Sequence, residues 1–543
     1  MTARKDWRFV CAFDDIIPET GVCALLDGKQ IAVFRVGEAV YALDNHDPLS
    51  NANVLSRGLI GDLGGEIVVA SPVYKHHFSL ATGRCLEDAE KSVRVYPARI
   101  IDGHVWVRPE PLRMRAHAKR KLVVVGNGMA GMRTVEELLN LTASNYEITV
   151  FGSEPHGNYN RILLSPVLAG EKKVEDIMLH TLEWYAEHGV TLHAGDPVVA
   201  IDRRRRIVKS KSGIEAPYDR LLIATGSNPI VLPVPGKDLP GVVTFRDLQD
   251  VDAMLQASKQ FKKAAVIGGG LLGLEAANGL RRQGMDVTVV HLLDTLMERQ
   301  LDKNAAALLR ASLEERGLKF KMPAKTAEIL SRPHPDLPPQ AGEGNASFLP
   351  TASSSRVSGL RFDDASIIEA DLIVMAAGIR PNIDLAKQAG LRCDRGILVD
   401  DTMQTYDPSI YAVGECVQHR NSTYGLVAPL WEQARVCATH LAEIGVSRYK
   451  GSMISTQLKV TGIDLFSAGD FVGGADSEAL VLKDAKRGIY KRLVIRDNKV
   501  HGAVLYGDTK DASWYFELMS EGRDIGKMRE TILFGETFSA GAQ

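Results

Sequence analysis

Two glycine-rich turns constrain the fold of this chain more than any other feature of its sequence. The first turn, Gly126-Asn-Gly-Met-Ala-Gly131, follows an apolar run that begins at Lys121. Glycines spaced G-x-G-x-x-G permit a tight turn, close approach of the backbone to a pyrophosphate, and close packing of the next helix on its strand. The spacing therefore predicts a strand, a dinucleotide-binding turn and a helix that begins at Met132. The residues predicted to contact this dinucleotide are Gly126, Gly128, Met129, Ala130 and Gly131.

An acidic residue follows the second apolar run after this turn. The run covers Glu147 to Phe151, and Glu154 comes shortly after it. In dinucleotide-binding domains a carboxylate about 20 or more residues beyond the glycines accepts hydrogen bonds from a ribose. We predict this role for Glu154, and the strand and carboxylate together distinguish the site from an ordinary tight turn.

The second turn, Gly268-Gly-Gly-Leu-Leu-Gly273, repeats the spacing about 140 residues later. Each turn is matched by a later apolar strand that ends in small residues, where the chain can pass close beneath a dinucleotide. A single turn would suggest a dehydrogenase, whereas two suggest that one nucleotide reduces another, a nicotinamide facing a flavin. The further predicted contact residues are Ala224, Thr225, Gly226, Gly268, Gly270, Leu272, Gly273, Gly378, Gly414 and Glu415.

Composition excludes several other classes of protein. The net charge of −2 gives no reason to expect a nucleic-acid or anionic-membrane partner. No apolar run approaches the roughly 20 residues that span a bilayer, and the charged N-terminus lacks the apolar core of a signal peptide. Six cysteines, none in a C-x-x-C pair, argue against a disulfide scaffold or a thiol redox pair. We expect a reducing, cytoplasmic compartment.

Residues 1–108 predict a small all-β module, followed by a basic, proline-containing linker over 109–120. Turns at Asp27-Gly28 and Asp102-Gly103 separate short strand patterns. These patterns cover 22–26, 30–34, 39–43, 66–70 and 105–107. The stretches 41–45 and 71–83 resemble the Rieske ferredoxin fold, and specifically the small subunit of NAD(P)H-dependent nitrite reductase.

A Rieske [2Fe–2S] cluster needs two cysteines and two histidines on two loops. In this sequence the corresponding positions hold Asp47, Leu49, Ser71 and Tyr74. No cysteine lies between Cys23 and Cys85, and His46, His76 and His77 cannot replace the thiolates. We therefore expect a module with no [2Fe–2S] cluster and no metal site, and solvated loop histidines.

Residues 121–543 resemble the flavin reductase portion of assimilatory NAD(P)H nitrite reductase and, more broadly, reductases of ferredoxins and rubredoxins. The stretches that match are 158–170, 296–302, 412–417, 424–433 and 506–510. The resemblance implies a glutathione-reductase-like α/β flavoprotein with two dinucleotide domains and a C-terminal α+β interface domain. The implied boundaries are 121–261 with 377–450 for FAD, 262–376 for NAD(P)H, and 451–543 for the interface domain.

Several local expectations complete this division. The stretch after Ser165 is expected to be rich in helix. Residues 332–356 carry five prolines and four serines, and we expect a disordered insertion between strands at 326–330 and 357–362. In the C-terminal segment we expect strands at 456–460, 488–495 and 500–506, and helices at 508–526 and 528–533.

The resemblance also implies cofactors and roles for single residues. It implies FAD with Glu154 at its ribose, Arg161 beside the flavin and Glu415 at the ribityl chain, and NADH or NADPH with Glu275 as the catalytic residue near the nicotinamide. His291 stands where an acidic residue would bind an NAD ribose, although it could equally be a surface histidine. The family continues into cysteine-rich and sirohaem segments, whereas this sequence has no cysteine after Cys437.

The best hypothesis is therefore an FAD-dependent NAD(P)H oxidoreductase that passes electrons to a separate acceptor protein of nitrite or nitrate assimilation. A homodimer is a candidate assembly. One alternative is a ferredoxin- or rubredoxin-reductase-like protein, or an NADH oxidase. A thiol-using disulfide reductase needs a cysteine near the flavin, and residues 159–165 contain none. A flavin-bearing regulatory or binding protein is the third alternative.

Overall fold

Contacts between residues divide the chain into two units. A computed structural model describes residues 6–63, 66–88, 91–112, 119–142, 145–333, 355–444, 447–458, 460 and 462–540. The first unit comprises Met1–Arg120 with two short segments, Thr142–Tyr146 and Ala442–Gly445. The second comprises Lys121–Leu141, Glu147–Leu441 and Val446–Gln543. No helix within the described ranges is long and apolar enough to cross a membrane.

The first unit is built from short strands, as the sequence predicts. They are β1 Arg8–Ala12, β2 Thr20–Leu26, β3 Lys29–Val36, β4 Ala39–Asp44, β5 His46–Asp47, β6 Ala52–Asn53, β7 Leu59–Leu63, β8 Glu66–Ala70, β9 His77–Ser79, β10 Val95–Tyr96, β11 Ala98–Ile101 and β12 His104–Val107. The main sheets run β10-β4-β3-β2, β1-β12-β11 and β7-β8-β9. The predicted Asp27-Gly28 and Asp102-Gly103 turns both join paired strands, with positive φ at all four residues. That geometry is the type I′ hairpin, which favours Asp-Gly.

Strand β3 explains why this unit has an apolar interior on both sides of one sheet. Ile31 and Val33 pack into one buried cluster, which includes Tyr96. Ala32 and Phe34 point the other way, into a second cluster. Because successive side chains of a strand face opposite sides, the run of apolar residues in β3 joins the two clusters.

The second unit contains the two nucleotide turns, a set of smaller sheets and a C-terminal sheet. Its strands are β13 Arg120–Val125, β14 Tyr146–Phe151, β15 Asn158–Tyr159, β16 Met178–His180, β17 Val190–His193, β18 Val198–Asp202, β19 Ile207–Ser210, β20 Glu215–Pro217, β21 Arg220–Ile223, β22 Ser227–Pro229, β23 Val242–Thr244, β24 Lys263–Ile267, β25 Asp286–Val290, β26 Lys319–Lys321, β27 Thr326–Pro333, β28 Ser355–Phe362, β29 Ile367–Glu369, β30 Leu372–Met375, β31 Ile379–Pro381, β32 Ile397–Val399, β33 Ile410–Ala412, β34 Val417–His419, β35 Ser422–Thr423, β36 Ser455–Gln457, β37 Leu465–Gly469, β38 Glu478–Asp484, β39 Ile489–Arg496 and β40 Lys499–Tyr506.

Its helices follow the apolar periodicity of the sequence. They are α1 Met129–Thr142, α2 Leu164–Leu168, α3 Leu182–Glu187, α4 Leu248–Gln260, α5 Leu271–Arg282, α6 Lys303–Glu315, α7 Asp384–Gln388, α8 Val427–Leu441, α9 Ala512–Glu521 and α10 Glu536–Ala540. Two parallel sheets run β17-β14-β13-β21-β33 and β23-β30-β24-β25-β26. Each has a strand–turn–helix at its centre, so the two-domain α/β architecture predicted from the sequence is confirmed.

The C-terminal part is an antiparallel sheet, β36-β37-β40-β39-β38, with α9 packed on it. Trp514, Tyr515 and Leu518 of α9 are buried in this packing. Tyr490 of β39 donates a hydrogen bond to Asp302, at 2.6 Å, and the same carboxylate caps the start of α6. The sheet is thereby joined to the second parallel sheet's helical layer.

Several predicted elements were wrong in position or type. Helix α1 begins at Met129 instead of Met132, because Gly131 lies in the first helical turn, where the missing Cβ lets the helix approach the strand. The stretch after Ser165 was expected to be rich in helix, yet five of its segments are strands, β16 to β20. The predicted helices 508–526 and 528–533 reduce to α9 and short 3₁₀ turns, and strands β37 and β38 were missed.

The hairpin β27–β28 flanks the predicted insertion, most of which, 334–354, lies outside the described residues. Residues 332–333 and 355–356 belong to the paired strands, so the expectation of disorder was wrong at both ends. Pro333 pairs with Ser355, so this pair closes the described part of the hairpin. A two-residue Asn-Gly turn can join strands that are paired in this way.

Replacing residues 334–354 with Asn-Gly should leave the FAD content unchanged and the melting temperature within about 3 °C, because shortening the connection between two paired strands alters the loop-closure entropy little. Absorbance at flavin wavelengths and a thermal melt measure both quantities. A loss of bound FAD would show that the replaced residues support the nucleotide domain.

Candidate functional site

The first glycine turn crosses the carboxyl end of a neighbouring strand at close range. Gly126 follows β13 with φ +113°, and a Cβ added to it would lie 2.2 Å from the carbonyl oxygen of Ala224. A Cβ added to Gly131 would lie 2.8 Å from the carbonyl oxygen of Gly126. Both positions therefore require glycine for contacts within the protein itself.

The middle glycine of the turn has a different environment. A Cβ added to Gly128 would meet no atom of the protein within 4 Å. Space beside this backbone, at the start of a helix of 14 residues, suits the close approach of a pyrophosphate. The turn thus fits the dinucleotide predicted from its sequence.

The second turn repeats this construction at each glycine. Gly268 has φ +132°, and an added Cβ would lie 2.2 Å from the carbonyl oxygen of Ala376. An added Cβ at Gly273 would lie 2.0 Å from the carbonyl oxygen of Gly268, whereas at Gly270 it would meet nothing within 4 Å. Leu272 is partly exposed in the first turn of α5. The chain therefore has two turns with the same internal contacts and the same open position.

Small residues that follow two other strands, β21 and β33, lie against the first turn. Thr225 donates a hydrogen bond to the carbonyl of Asn382 at 2.7 Å, and Gly226 accepts one from the N–H of Asn382 at 2.9 Å. A Cβ added to Gly414 would lie 3.0 Å from Cβ of Ala130. Ala224, Thr225, Gly226 and Gly414 are thus brought together beside the first glycines, and their contacts with a dinucleotide stay a prediction. Gly378, with φ +113°, follows β30 in the second sheet.

Two arginines and two carboxylates form a connected chain at this edge. Glu154 pairs with Arg161 and accepts a hydrogen bond from the hydroxyl of Tyr159 at 2.8 Å. Arg161 also donates to the carbonyl of Arg246 at 3.0 Å. The Arg246 guanidinium pairs in turn with Glu415. The carboxylates predicted to hold FAD are thus already balanced by cations of the same unit.

Sequence reasoning missed two residues of this site. Arg246 is one, since it follows no nucleotide turn and its partner Glu415 lies 169 positions away. Gln433 of α8 is the other, fully buried, with its side-chain oxygen accepting the N–H of Gly414 at 2.9 Å. Its position inside the conspicuous stretch 424–433 was the only available signal.

Glu275, predicted to be catalytic, lies in the interior of α5 with only 5% of its surface exposed. Its carboxylate accepts a hydrogen bond of 2.6 Å from the hydroxyl of Ser165, on α2. Helices α2 and α5 belong to the same buried cluster. The structure therefore fixes Glu275 between the first and second nucleotide portions.

In the first unit, Asp47 and Ser71 bring together the two loops that hold the cluster in Rieske proteins. Asp47 is fully buried, and its carboxylate accepts hydrogen bonds from the hydroxyls of Ser71, at 2.6 Å, and Ser50, at 2.7 Å. The N–H of Leu49 donates to the same carboxylate at 2.9 Å. Tyr74 is largely exposed. Three of the four residues in the cluster positions, Asp47, Leu49 and Ser71, are therefore joined by hydrogen bonds.

Two of the three histidines near these loops make separate contacts. His46 is exposed and contacts Asn53, whereas His77 bonds to Glu87 at 2.6 Å. Among the described residues no group of three or more histidine, cysteine or acidic side chains could hold a metal ion. The donor set at Asp47 and Ser71, an oxygen pair without a thiolate, does not fit a Rieske cluster.

Asp47→Asn should destabilise the first unit by about 1–3 kcal/mol at pH 7, because an amide cannot accept all the donors that face the carboxylate. Burial would raise the pKa of Asp47, but the hydrogen bonds from Ser71 and Ser50 outweigh it and lower this pKa. The stabilisation is therefore complete above the ordinary value of about 3.9 and is lost as the pH falls through the lower folded-state pKa.

Calorimetric scans between pH 7 and pH 3 test this expectation, with Asp27→Asn as the control, since Asp27 makes only an exposed ion pair with Arg8. An Asp47→Asn variant as stable as the control at pH 7 would contradict a role for this carboxylate in joining the loops.

Two glycine turns of the same build, each on its own parallel sheet within one unit, define the two-dinucleotide class of oxidoreductase fold. The chain belongs to the pyridine nucleotide-disulphide oxidoreductase family, whose model matches residues 120–439. A Rieske-like [2Fe-2S] domain model matches residues 6–108, and the rubredoxin NAD+ reductase C-terminal domain matches residues 455–523. The fold class predicted from the sequence, including its N-terminal module, is confirmed.

Similar curated proteins come from nitrogen metabolism. The chain is 49% identical over 409 residues to "Nitrite reductase [NAD(P)H]" of Bacillus subtilis, covering 75% of this chain and 48% of that protein. It is 43% identical to the "Assimilatory nitrate reductase electron transfer subunit" of the same organism, covering 77% and 52%. The expected resemblance is thereby confirmed, and the chain spans about half the length of these relatives.

Solved structures give the same fold. A covalent putidaredoxin reductase–putidaredoxin complex matches with a TM-score of 0.64 and 25% identity, covering 75% of this chain and 93% of that one. NADH:rubredoxin oxidoreductase from Clostridium acetobutylicum matches with a TM-score of 0.62 and 24% identity, covering 77% and 100%. The second likeness concerns the fold alone.

Proposed function

We propose that this chain is an FAD-dependent NAD(P)H oxidoreductase that passes electrons to a separate acceptor protein of nitrite or nitrate assimilation. The observation that carries the proposal is the pair of glycine turns with open space at Gly128 and Gly270. The named activities of the relatives from Bacillus subtilis support the choice of pathway. A cytoplasmic location accords with these assimilatory roles.

In this proposal the first turn holds FAD, and the chemistry that FAD supplies when bound is acceptance of a hydride and release of single electrons. Gly126, Gly128 and Gly131 take the pyrophosphate. Glu154, Arg161 and Glu415 keep their predicted places along the cofactor, with Arg246 added. Because the two arginines are already paired with carboxylates, their side chains are held in place before the cofactor binds.

The second turn takes NAD(P)H, and Glu275 is the residue proposed beside the nicotinamide. Hydride transfer needs no general acid, so the protein contributes orientation and exclusion of water. The hydrogen bond from Ser165 on α2 orients the Glu275 carboxylate on α5. Because Glu275 is buried, water has little access to this carboxylate. We therefore propose that Glu275 positions the nicotinamide and does not transfer a proton.

The N-terminal module, in the same proposal, holds no [2Fe–2S] cluster. The hydrogen bond between Asp47 and Ser71, together with the lack of cysteine between Cys23 and Cys85, supports this. We propose that the module contributes a surface for the acceptor protein, since a unit without a cluster relays no electrons.

The thiol-using alternative is disfavoured by the state of Cys416, the cysteine next to Glu415 in the proposed FAD site. Cys416 follows Glu415, is fully buried, and donates to the carbonyl of Val413 at 3.3 Å. Burial raises the pKa of this thiol to about 11, which leaves almost no thiolate near pH 7. All six cysteines are unpaired.

Gly128→Val should abolish FAD binding, whereas Gly270→Val should keep FAD and lose reduction by NAD(P)H. A Cβ added at either glycine meets no protein atom within 4 Å, so each substitution should be tolerated by the fold and obstruct only its nucleotide. Flavin absorbance and anaerobic bleaching by NADH give the two readings. Equal loss of FAD in both folded variants would contradict the assignment of the sites.

The chain should oxidise NAD(P)H with a one-electron dye but give no ammonium from nitrite. Reduction of nitrite to ammonium takes six electrons at a sirohaem and iron–sulfur centre. The six cysteines of this sequence do not form a group that could hold such a centre in the described part of the chain. Ammonium formed from nitrite and NADH by the purified chain would refute the proposal. Absence of flavin bleaching by NADH would instead support the regulatory alternative.

A further inference from the structure

His291 holds the second glycine turn from the neighbouring strand. It follows β25, which pairs with β24 in the parallel sheet, and its Nδ1 accepts a hydrogen bond from the N–H of Gly269 at 3.0 Å. An added Cβ at Gly269 would lie 2.7 Å from Cγ of His291, so the imidazole packs directly on the turn. His291 therefore occupies the strand end where a ribose-binding carboxylate is usual.

The hydrogen bonds of this imidazole leave it no polar atom for a ligand. Because Nδ1 is an acceptor, the proton of the neutral ring lies on Nε2. Nε2 contacts the carbonyl oxygen of Thr295, at 3.1 Å, and the carboxylate of Glu298, at 3.2 Å. Only 11% of the His291 side chain is exposed, against 34% for Glu298. Two acidic side chains beyond this strand end are therefore accessible, Asp294, which contacts Lys303, and Glu298, which contacts His291.

The segment that carries Glu298 is anchored to the same turn. The N–H of Met297 donates to the carbonyl oxygen of Gly269 at 3.0 Å, and Leu296 and Met297 are both buried. The backbone of Glu298 therefore follows directly from a residue fixed to the glycine turn. A carboxylate held next to a dinucleotide turn can accept hydrogen bonds from ribose hydroxyls and repels a phosphate.

The nearby lysines are engaged with other acidic residues. Lys321, on β26, contacts Asp364 at 3.1 Å, and Lys303 contacts Asp294 at 3.7 Å. Arg299, which follows Glu298 in the chain, is exposed, and a cation near this place would favour the 2′-phosphate of NADPH. The Glu298 carboxylate contacts His291, and its backbone follows the residue that bonds to the turn. This carboxylate would repel a 2′-phosphate.

We propose that Glu298, held by His291, accepts the adenosine ribose hydroxyls of NADH and excludes the 2′-phosphate of NADPH. The inference rests on the proposed function, because it assigns the nucleotide of the second turn. The proposed ribose-binding carboxylate lies seven positions beyond His291, which occupies the strand end where such a carboxylate is usual.

The test measures binding of NAD+ and NADP+ to the oxidised, FAD-loaded chain by isothermal titration calorimetry, which needs no turnover. Wild type should bind NAD+ at least about tenfold more tightly than NADP+. In NADP+ the 2′-hydroxyl that donates to the Glu298 carboxylate is replaced by a phosphate, which that carboxylate repels. Glu298→Gln should bind NAD+ roughly tenfold more weakly and lose most of this preference. Glu298→Arg should bind NADP+ at least as well as NAD+.

Glu328→Gln is the matched control, because Glu328 lies in the same α/β portion, is 37% exposed and pairs with Arg361 instead of a histidine. It should keep both affinities. If wild type binds neither nucleotide, the proposed function fails and this inference with it. If wild type prefers NADP+, or binds NAD+ while Glu298→Gln keeps the wild-type preference, only this inference is overturned.

Discussion

The nucleotide portions of this chain depend on backbone approaches that a single Cβ would prevent. At Gly126 and again at Gly268, the turn passes within contact of a carbonyl on the adjacent parallel strand, at Ala224 and Ala376. Real Cβ atoms do not lie 2.2 Å from an oxygen, so each turn would have to move if its own glycine were replaced. This crossing places the open backbone of the next glycines at the carboxyl edge of each sheet, where α/β folds bind their ligands.

The two sites differ in what surrounds this shared turn. Charged groups surround the first, where Arg161 and Arg246 are each paired with a carboxylate. The second is held by a neutral imidazole, whose Nδ1 accepts the N–H of Gly269. Paired charges at a site keep several side chains in fixed positions, which suits a cofactor that stays bound. A turn fixed through backbone and imidazole is formed before its nucleotide arrives, which suits a substrate that must enter and leave.

The sequence could predict the parts of the site that depend on local spacing. Both glycine turns, the hairpins at Asp-Gly and the two-sheet architecture follow from residues close together in the chain. Arg246 could not be found this way. Its ion pair with Glu415, and the hydrogen bond that its carbonyl accepts from Arg161, form only when distant segments of the chain meet. The start of α1 was misplaced for a related reason: a glycine suggests a turn, whereas Gly131 is needed inside a helix to pack against its strand.

In the proposed function the N-terminal unit keeps a Rieske-like fold but holds no cluster. In a Rieske domain the metal cluster joins two loops, and here Asp47 on one loop accepts the hydroxyl of Ser71 on the other, with Ser50 and Leu49 as further donors. In the proposed function this bond takes over the mechanical role of a cluster, because a buried carboxylate with several donors is costly to separate from them. It does not replace the redox role, since neither side chain can take up an electron from a flavin. In the proposed function electrons therefore leave from the flavin itself, and the acceptor must approach the FAD portion closely enough to receive them.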